Sequence, residues 1–372
     1  MASQDIDRKN TTGQGDRLFT HRREWAQQWH RVCTGESRGV TAFLVRVVLA
    51  LLASIYGVIV RCRRLLYRVG VWKPEPATIP VISIGNITVG GTGKTPCVEL
   101  IARHLLVEGW QIAILSRGYG SDFGANDEAL VLEENLPDVP HLQGVNRAEL
   151  LKVAVEELER EVVLLDDGFQ HLRLQRHLDI VLVDATNPWG YGWLLPRGML
   201  REPPSVLKFA NVIIVTKTDL VSAEKLSDLT TRIQRIAPQV PVCFAVHEPV
   251  EWVNNDGEVR PIHEWRNLPA AAFCGIGNPH SFRRSLADLG VTARQWRVFP
   301  DHHAYSRDDV EELHAWAAAL PPNGIVLTTQ KDLVKLRLPT LGDRPLWSLR
   351  VAFRVTRGFD LLIDRVRKLL TT

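Results

Sequence analysis

Short apolar runs alternate with helical patterns along most of the chain after residue 76. The runs are rich in Val and Ile and show little polar alternation, which predicts strands buried on both faces of a sheet. The predicted strands are residues 80–85, 111–116, 129–132, 162–166, 179–184, 211–216 and 241–246. Helical patterns lie between several of them, at residues 94–108, 147–160 and 222–237. Strands separated by helices predict a parallel, doubly wound α/β sheet.

A second, shorter α/β series follows a break in the pattern near residues 247–269. Residues 252–257, Trp-Val-Asn-Asn-Asp-Gly, favour a hairpin turn within this break. Ser306 and Asp309 supply a capping signal for a helix that begins at residue 307. We therefore expect two α/β lobes that join near residue 250. The elements predicted for the second lobe are strand 271–276, helix 279–289, strand 296–299, helix 307–319, strand 324–329 and helix 359–370.

Residues 40–72 form a long apolar segment with a basic stripe. At helical spacing most Leu, Val and Ile side chains fall on one wide face, while several arginines share a narrower one. This pattern is typical of a helix that lies in a membrane interface. The uncharged part, residues 47–60, is shorter than the ~20 residues that a span needs, and basic flanks on both sides favour no spanning orientation. A true span and a core or oligomer helix stay open as alternatives.

Charge is distributed unevenly, although the chain of 372 residues has a formal net charge of only +3. Residues 1–75 hold 13 Lys and Arg against 6 Asp and Glu, so this part carries +7 and residues 76–372 carry −4. A mildly acidic body argues against a nucleic-acid partner. The 5 cysteines are scattered without a CxxC pair, which argues against a disulfide framework or a zinc site and fits a reducing cytoplasm.

The strongest chemical signal is a glycine-rich loop between the strand at 80–85 and the helix at 94–108. Such a loop turns its backbone N–H groups toward phosphate oxygens at a helix N-terminus. Lys94 is placed to contact the β- and γ-phosphates, and the Thr95 hydroxyl to ligate Mg²⁺. The phosphate-loop motif has glycine where this chain has Thr88, so Gly90 and Gly91 are expected to supply the flexibility. The residues predicted to bind the nucleotide are Thr88, Val89, Gly90, Gly91, Thr92, Gly93, Lys94 and Thr95.

Two adjacent carboxylates, Asp166 and Asp167, end the strand at 162–166 and predict the metal-binding element of a nucleotide site. Asp184, at the end of the strand at 179–184, is a competing candidate that we rank lower. The segment Thr216-Lys217-Thr218-Asp219 resembles the guanine-reading N-K-x-D of GTPases with Thr in place of Asn. We interpret it primarily as a strand end followed by a helix start.

Several further motifs in this order resemble those of one family, the lipid A 4′-kinases (tetraacyldisaccharide 4′-kinases). The resemblance extends over most of the chain, from about residue 43 to residue 335, and the run Asp-Asp-Gly-Phe-Gln-His beside Gly-Gly-Thr-Gly-Lys-Thr-Pro is highly specific. The matching segments are 85–86, 90–96, 116–120, 127–128, 166–171, 195–198, 200–203, 273–279, 301–303 and 328–332.

This resemblance implies a P-loop-like fold and a kinase that uses ATP and Mg²⁺. The reaction would move the γ-phosphoryl group of ATP to the 4′-hydroxyl of a tetraacylated glucosamine disaccharide 1-phosphate, forming lipid IVA. The enzyme would then work at the cytoplasmic face of the bacterial inner membrane, peripherally or shallowly anchored, and contact an anionic membrane surface. A basic interfacial helix suits such a lipid substrate. Neither the accepted acyl chains nor an oligomeric state follows from the sequence.

The resemblance also implies roles for individual residues. Asp127 would be the general base, paired with a histidine of the second lobe that we place at His302, with His303 as the rival. The family usually shows Gly-Asp-Glu-Pro where this chain has Asn126-Asp127-Glu128-Ala129, so the acidic pair is retained in a different setting. Lys94 completes the catalytic group. The predicted Mg²⁺ ligands are Thr95, Asp166, Asp167 and Glu202, and the predicted substrate contacts are Asn86, Tyr119, Arg147, Gln170, His171 and Arg201.

These assignments divide the chain into four parts: a polar extension at 1–39, a membrane-associated helix at 40–72, a P-loop kinase domain at 73–246, and a linker hairpin with a smaller C-terminal α/β domain at 247–372. Arg147, Tyr119 and His171 also admit purely structural roles. The competing functional hypothesis is a P-loop GTPase or ATPase that acts as a nucleotide-dependent switch, supported by residues 216–219. It lacks a D-x-x-G switch, because Gly168 directly follows Asp167.

Overall fold

One continuous β-sheet runs through both lobes. The computed structural model describes residues 39–118, 127–266 and 268–371, together with residues 29, 31, 32 and 35–37. Thirteen strands of the sheet lie within these residues. They are β1 Val81–Asn86, β2 Ile112–Ser116, β3 His141–Gln143, β4 Val162–Asp166, β5 Leu178–Asp184, β6 Val212–Thr216, β7 Val242–Val253, β8 Val259–Pro261, β9 Ala270–Cys274, β10 Ala293–Val298, β11 Ile325–Thr329, β12 Thr340–Leu341 and β13 Arg344–Arg357.

Helices cover the faces of this sheet, apart from a first helix that precedes it. The α-helices that begin and end within the described ranges are α1 Val40–Arg68, α2 Lys94–Val107, α3 Asp127–Asn135, α4 Arg147–Glu156, α5 Ala223–Ile236, α6 Pro279–Asp288, α7 Arg307–Ala318, α8 Gln330–Leu336 and α9 Phe359–Leu370. The capping box predicted for α7 is present, with Ser306 and Asp309 exchanging both hydrogen bonds. The prediction of an α/β, P-loop-like architecture is confirmed.

The strand order is β10-β9-β11-β13-β7-β6-β5-β1-β4-β2-β3. Neighbours from β3 to β7 pair in parallel, and so do those from β13 to β10. The long strands β7 and β13 pair antiparallel and join the two parallel halves. The predicted hairpin turn after Trp252 is also present, since β8 folds back on β7. The proposed division at residue 246 falls inside β7, so the lobes share a strand, and the domain boundaries stay a prediction.

Burial explains why the central strands form. Every residue of β1, β4 and β6 is buried, as the unbroken apolar runs predicted for strands covered on both faces. Helix α2 packs Val98, Ile101 and Leu105 against this sheet at helical spacing. Fully burying a side chain of this size stabilises the fold by about 1.5–3 kcal/mol, so the P-loop is attached to a rigid strand and a rigid helix.

One predicted strand is wrong. Residues 129–132, Ala-Leu-Val-Leu, lie inside helix α3 rather than in a strand. The acidic pair Asp127 and Glu128 occupies the first turn, where the helix dipole favours negative charge. Ala129 and Leu132 are buried at a spacing of three, which a helix places on one face. The apolar run was too short to distinguish the two structures by periodicity.

Helix α1 presents its apolar face away from the body. Leu51 is 64% exposed and Ile59 is 58% exposed, whereas Ala53, Gly57 and Val60 are buried against the body. A Cβ at Gly57 would lie 2.7 Å from Leu194 Cδ1, so the small residue permits close packing there. By length and composition α1 is long enough to cross a membrane. Its narrow face holds the helix to the protein, which leaves the wide apolar face for other contacts.

Candidate active site

The carboxyl ends of four adjacent parallel strands meet at one edge of the sheet. The loop after β1 begins there, and Asp166, Asp184 and Thr216 end β4, β5 and β6. In open α/β sheets ligands bind at this edge. The main-chain order therefore brings the predicted nucleotide loop and the predicted metal-binding strand end together, as the sequence indicated.

The glycine-rich loop is held in a conformation that requires glycine at two points. Gly93 has φ +92° and directly precedes α2, and Gly90 has φ +111°. L-residues with a side chain rarely adopt such angles. Gly93 also packs so closely against the His247 ring that a Cβ would overlap it. The loop therefore leads directly into the N-terminus of α2, the kind of helix end at which phosphate groups bind in proteins.

The departure at Thr88 has a structural explanation. Thr88 forms a bridge with Leu200, and the Val89 N–H donates to the Met199 carbonyl at 2.8 Å. The first half of the loop therefore has extended backbone that pairs with the segment at 199–200, and a residue with a side chain suits extended backbone. Flexible backbone is needed only from Gly90 onward.

Lys94 and Asp167 lie beside the loop as an ion pair. The Lys94 ammonium is 3.8 Å from Asp167 Oδ1, and Arg201 Nη1 is 2.6 Å from Asp167 Oδ2. Burial alone would raise the pKa of Asp167, but Lys94 and Arg201 outweigh it and hold that pKa below its ordinary value. Asp167 therefore stays ionised and positions two cations where a triphosphate would lie.

Thr95 and Asp166 form the part of the predicted metal site that the structure brings together. The Thr95 hydroxyl donates to Asp166 Oδ2 at 3.3 Å. The other oxygen, Asp166 Oδ1, is buried without a hydrogen-bond partner among the described residues. Burial and the charges of Glu128 and Asp167 raise the pKa of Asp166 to about 7. A hydroxyl and an unsatisfied carboxylate oxygen fit Mg²⁺, which takes one or two carboxylates plus substrate phosphates.

The other two predicted metal ligands have different partners. Glu202 forms a bidentate pair with Arg64 of α1, at 2.7 and 3.1 Å, and Asp167 is held by Arg201 and Lys94. Within the described ranges no three His, Cys, Asp or Glu side chains converge on a common metal position. The structure therefore supports Thr95 and Asp166 as ligands, while Asp167 and Glu202 stay predictions in that role.

Asp127 and His302 face each other across the two lobes. His302 Nδ1 and Lys335 Nζ each lie 3.1 Å from Asp127 Oδ2. Burial would raise the pKa of Asp127, but His302 and Lys335 outweigh it and lower the net pKa. The hydrogen bond to Asp127 raises the pKa of His302, against the opposing effect of burial. The structure thus brings together the two residues that were predicted to act as a pair.

The rival histidine, His303, has another partner. His303 Nε2 lies 3.1 Å from Asp309 Oδ2, and its ring stacks on Phe299. Its backbone carbonyl accepts a hydrogen bond from Lys335. His303 therefore supports the loop and the lysine beside the pair, and His302 supplies the imidazole.

Glu128 connects this pair to the nucleotide loop. Glu128 forms an ion pair with Lys331, in which Glu128 Oε1 lies 2.9 Å from Lys331 Nζ. Burial would raise the pKa of Glu128, but Lys331 and Lys94 lower it, and Glu128 in turn raises the pKa of Asp166. The charge of Glu128 is thus coupled to the charges of Lys94 and Asp166. Helix α3 also packs against α2, where Asn135 Nδ2 donates to Glu99 Oε2 at 2.9 Å, so the helix that begins at Asp127 adjoins the helix that begins at Lys94.

The predicted substrate contacts fall into one network, apart from two residues. Gln170 Nε2 donates to the Asn86 carbonyl at 2.8 Å and to Glu202, and Arg201 binds Asp167. Arg147 is buried beneath the site, where its guanidinium donates to the Asp166 carbonyl at 3.4 Å. His171 lies beside the network, and Tyr119 lies outside the described residues. Burial, followed by nearby arginines, lowers the pKa of His171 to about 4, so this imidazole is neutral near pH 7.

Helix α1 contacts this network directly, which the sequence did not indicate. Besides the Arg64–Glu202 pair, Tyr56 donates to the Arg201 carbonyl at 2.9 Å, and Arg63 donates to the Gln170 carbonyl. A run of arginines at the end of an apolar helix was interpreted only as a membrane signal. Lys331 and Lys335 were also missed, although the motif at 328–332 pointed to their helix.

Comparisons with known proteins show which proteins this chain is similar to. The family profile described as tetraacyldisaccharide-1-P 4′-kinase matches residues 45–368. The tetraacyldisaccharide 4′-kinase of Anaeromyxobacter dehalogenans is 39% identical over 324 residues, 81% of this chain and 84% of that protein. The enzyme of the same name from Halothermothrix orenii is 35% identical over 327 residues, 80% of this chain and 85% of that protein. The crystal structure of LpxK from Aquifex aeolicus in complex with ATP aligns with a TM-score of 0.70 and 28% identity, covering 88% of this chain and 99% of that one.

Proposed function

The chain belongs to the tetraacyldisaccharide-1-P 4′-kinase family, and we propose that it phosphorylates the 4′-hydroxyl of an acylated glucosamine disaccharide 1-phosphate. It is a kinase of lipid A biosynthesis, and its phosphoryl donor is ATP. The product of the proposed reaction is lipid IVA. The single observation that best supports the chemistry is the Asp127–His302 pair, which lies at the start of a helix that packs against α2.

The donor site is formed by the loop at 88–95. Its N–H groups and the N-terminus of α2 would bind the phosphates, and Lys94 would contact the β- and γ-phosphates. Thr95 and Asp166 would hold Mg²⁺, whose charge neutralises negative charge that develops on the transferred phosphoryl group. Asp167, which Arg201 holds in place, positions Lys94.

The acceptor needs a base, because a sugar hydroxyl is a poor nucleophile near neutral pH. Asp127 is ionised and has an imidazole partner, so it would accept the proton from the 4′-hydroxyl. His302 orients the carboxylate and provides a route for the proton away from the site. We assign substrate contacts to Asn86, Tyr119, Arg147, Gln170, His171 and Arg201, with Glu202 as the link to α1.

The reaction is tested by offering radiolabelled ATP or GTP with acylated disaccharide 1-phosphate in detergent micelles. We expect transfer of label from ATP to the lipid and little nucleotide hydrolysis in its absence. Steady hydrolysis without lipid, and no labelled lipid, would instead indicate a nucleotide-dependent switch and overturn the proposal. A Lys94→Met variant controls for contaminating kinases.

We also propose that the protein associates with the cytoplasmic face of the inner membrane through α1, lying on the surface or shallowly anchored. Two observations support this placement. The wide apolar face of α1 is exposed, with Leu51 64% and Ile55 51% accessible. The arginines at its C-terminal end suit an anionic leaflet.

Flotation with liposomes tests the membrane proposal. The double variant Leu51→Gln/Ile55→Gln removes two apolar side chains that do not pack on the body. Burying each one stabilises by about 1.5–3 kcal/mol, so the partition coefficient should fall at least tenfold. The matched control is Leu220→Gln, an exposed residue of the body. Unchanged flotation of the double variant would contradict the proposal.

A further inference from the structure

The segment Thr216-Lys217-Thr218-Asp219 resembles a guanine-reading motif, yet its side chains contact the phosphate loop. Lys217 Nζ donates to the Gly91 carbonyl at 2.8 Å, and the Thr216 hydroxyl donates to the Thr92 carbonyl at 3.0 Å. The segment begins at Thr216, the last residue of β6, and β6 lies two strands from β1 in the same sheet. Both contacts fall in the second half of the loop, where the backbone carries the positive φ angles.

We propose that Lys217, held by Asp184, is a positioning residue that fixes the phosphate loop in its nucleotide-binding conformation. This inference rests on the proposed use of the loop to bind ATP. It assigns a role to a lysine outside the predicted catalytic and metal-binding residues, and a positioning role to Asp184, which the sequence had offered as the lower-ranked metal candidate.

Asp184 fixes the lysine in place. Asp184 Oδ2 is 2.5 Å from Lys217 Nζ, and Asp184 Oδ1 accepts from the Thr186 N–H and hydroxyl at 2.8 and 2.6 Å. Both carboxylate oxygens are thus satisfied, and the side chains of Lys217 and Asp184 are 24% and 12% exposed. Because its charge is already neutralised by Asp184, Lys217 is suited to orient backbone rather than to bind phosphate directly.

Anchoring a carbonyl also orients the amide that follows it. A trans peptide unit is planar, and its N–H points opposite to its C=O. With the Thr92 carbonyl held by Thr216, the Gly93 N–H points away from that contact. Asn86 Nδ2 donates to the Thr92 hydroxyl at 2.8 Å and holds the same residue from the strand side. The loop is therefore held on several sides before a nucleotide arrives.

Preorganisation of this kind should appear in nucleotide affinity. The hydrogen bond from the charged Lys217 side chain orders the loop that would bind the nucleotide. Loss of such a bond is expected to weaken nucleotide binding by about tenfold or more. Without Lys217 the loop must order on binding, and the cost reduces affinity for ATP. Affinity for the lipid acceptor should not change.

The test uses the full chain and a fluorescent ATP analogue with Mg²⁺, titrated without acceptor. We expect Lys217→Met and Asp184→Asn each to raise Kd about tenfold, and the double variant to be no weaker than the worse single variant. Thr216→Val should raise Kd by a smaller factor. In the kinase assay KM for ATP should rise while KM for the lipid stays unchanged. Lys225→Met, an exposed lysine in the first turn of α5, is the matched control.

Two results would overturn the proposal. One is an unchanged Kd in Lys217→Met, which together with a lower unfolding temperature would indicate a purely structural role. The other is tighter wild-type binding of GTP than of ATP, lost selectively in the variant, which would indicate that the segment recognises the base. Because binding is measured without acceptor, failure of lipid phosphorylation in the wild type would refute the kinase proposal separately.

Discussion

Replacing Asp127 by Asn removes the proposed general base while preserving the shape of its site. The carboxylate accepts from His302 Nδ1 and Lys335 Nζ, both at 3.1 Å, and the side chain is 13% exposed. Loss of a general base reduces kcat by about 10²–10⁴-fold, which corresponds to about 3–5 kcal/mol of activation free energy. ATP should still bind, because the phosphate loop has its own contacts.

The structure also indicates that this variant will fold. Without the carboxylate, Lys335 keeps the His303 carbonyl at 3.1 Å and the Asp332 carboxylate at 3.4 Å, so no buried charge is left unpaired. The unfolding temperature should therefore fall by no more than about 4 °C. The assay is single-turnover transfer from labelled ATP to micellar lipid, with Asp301→Asn as the control. Asp301 lies 3.9 Å from His302 and is half exposed, so the control removes an equal charge beside the same imidazole. Near-normal kcat in the Asp127 variant, or an equal loss in the control, would refute the assignment.

Two further predictions follow from the pKa shifts and the loop geometry. His302 has a pKa raised above 6.5 and Asp127 one lowered below 3.8, so their pairing stabilises the fold between these limits. That stabilisation is lost as pH rises through the raised pKa of His302, and as pH falls through the lowered pKa of Asp127. Unfolding temperatures of wild type and His302→Asn should therefore converge at alkaline pH, and a constant difference would contradict this origin. Gly93→Ala should weaken binding of a fluorescent ATP analogue at least tenfold, because φ +92° and the adjacent His247 ring leave no room for a Cβ; unchanged Kd would show that the loop adapts.

The sequence predicted the nucleotide loop well because its determinants are local. Strand β1, the glycines and the start of α2 are consecutive, and each residue type suits its backbone angle there. Asp166 follows from the same logic, since the end of a buried strand must lie at the edge where β1 also ends. The Asp127–His302 pair is different, because 175 positions separate the two residues. The family resemblance indicated that pair, and local pattern alone did not.

The misses also have physical causes. Strand β13, Arg344–Arg357, was not predicted because arginines recur along it and several of its residues are partly exposed, unlike the buried parallel strands. Residues 129–132 form a helix because α3 docks against α8, where Gln330 donates to the Asn135 side chain at 2.7 Å. The pairing of Glu202 with Arg64, which lies 138 positions earlier on α1, was also not predicted. The helix at 129–132 and this ion pair both depend on contacts between distant segments, which local periodicity does not detect.

The contacts between the lobes bear on how the proposed base is controlled. The partners of Asp127, His302 and Lys335, belong to the second lobe, whereas Asp127 itself begins α3, which packs against α2 in the first lobe. The low pKa of Asp127 therefore depends on docking of the two lobes, because burial alone would raise it. Separation of the lobes would remove an imidazole and an ammonium together. Lys331, which pairs with Glu128 at 2.9 Å, lies on the same short helix as Lys335, so docking positions both carboxylates at once. Because the imidazole that orients the proposed base comes from the second lobe, proton acceptance would be coupled to closure of the lobes around both substrates.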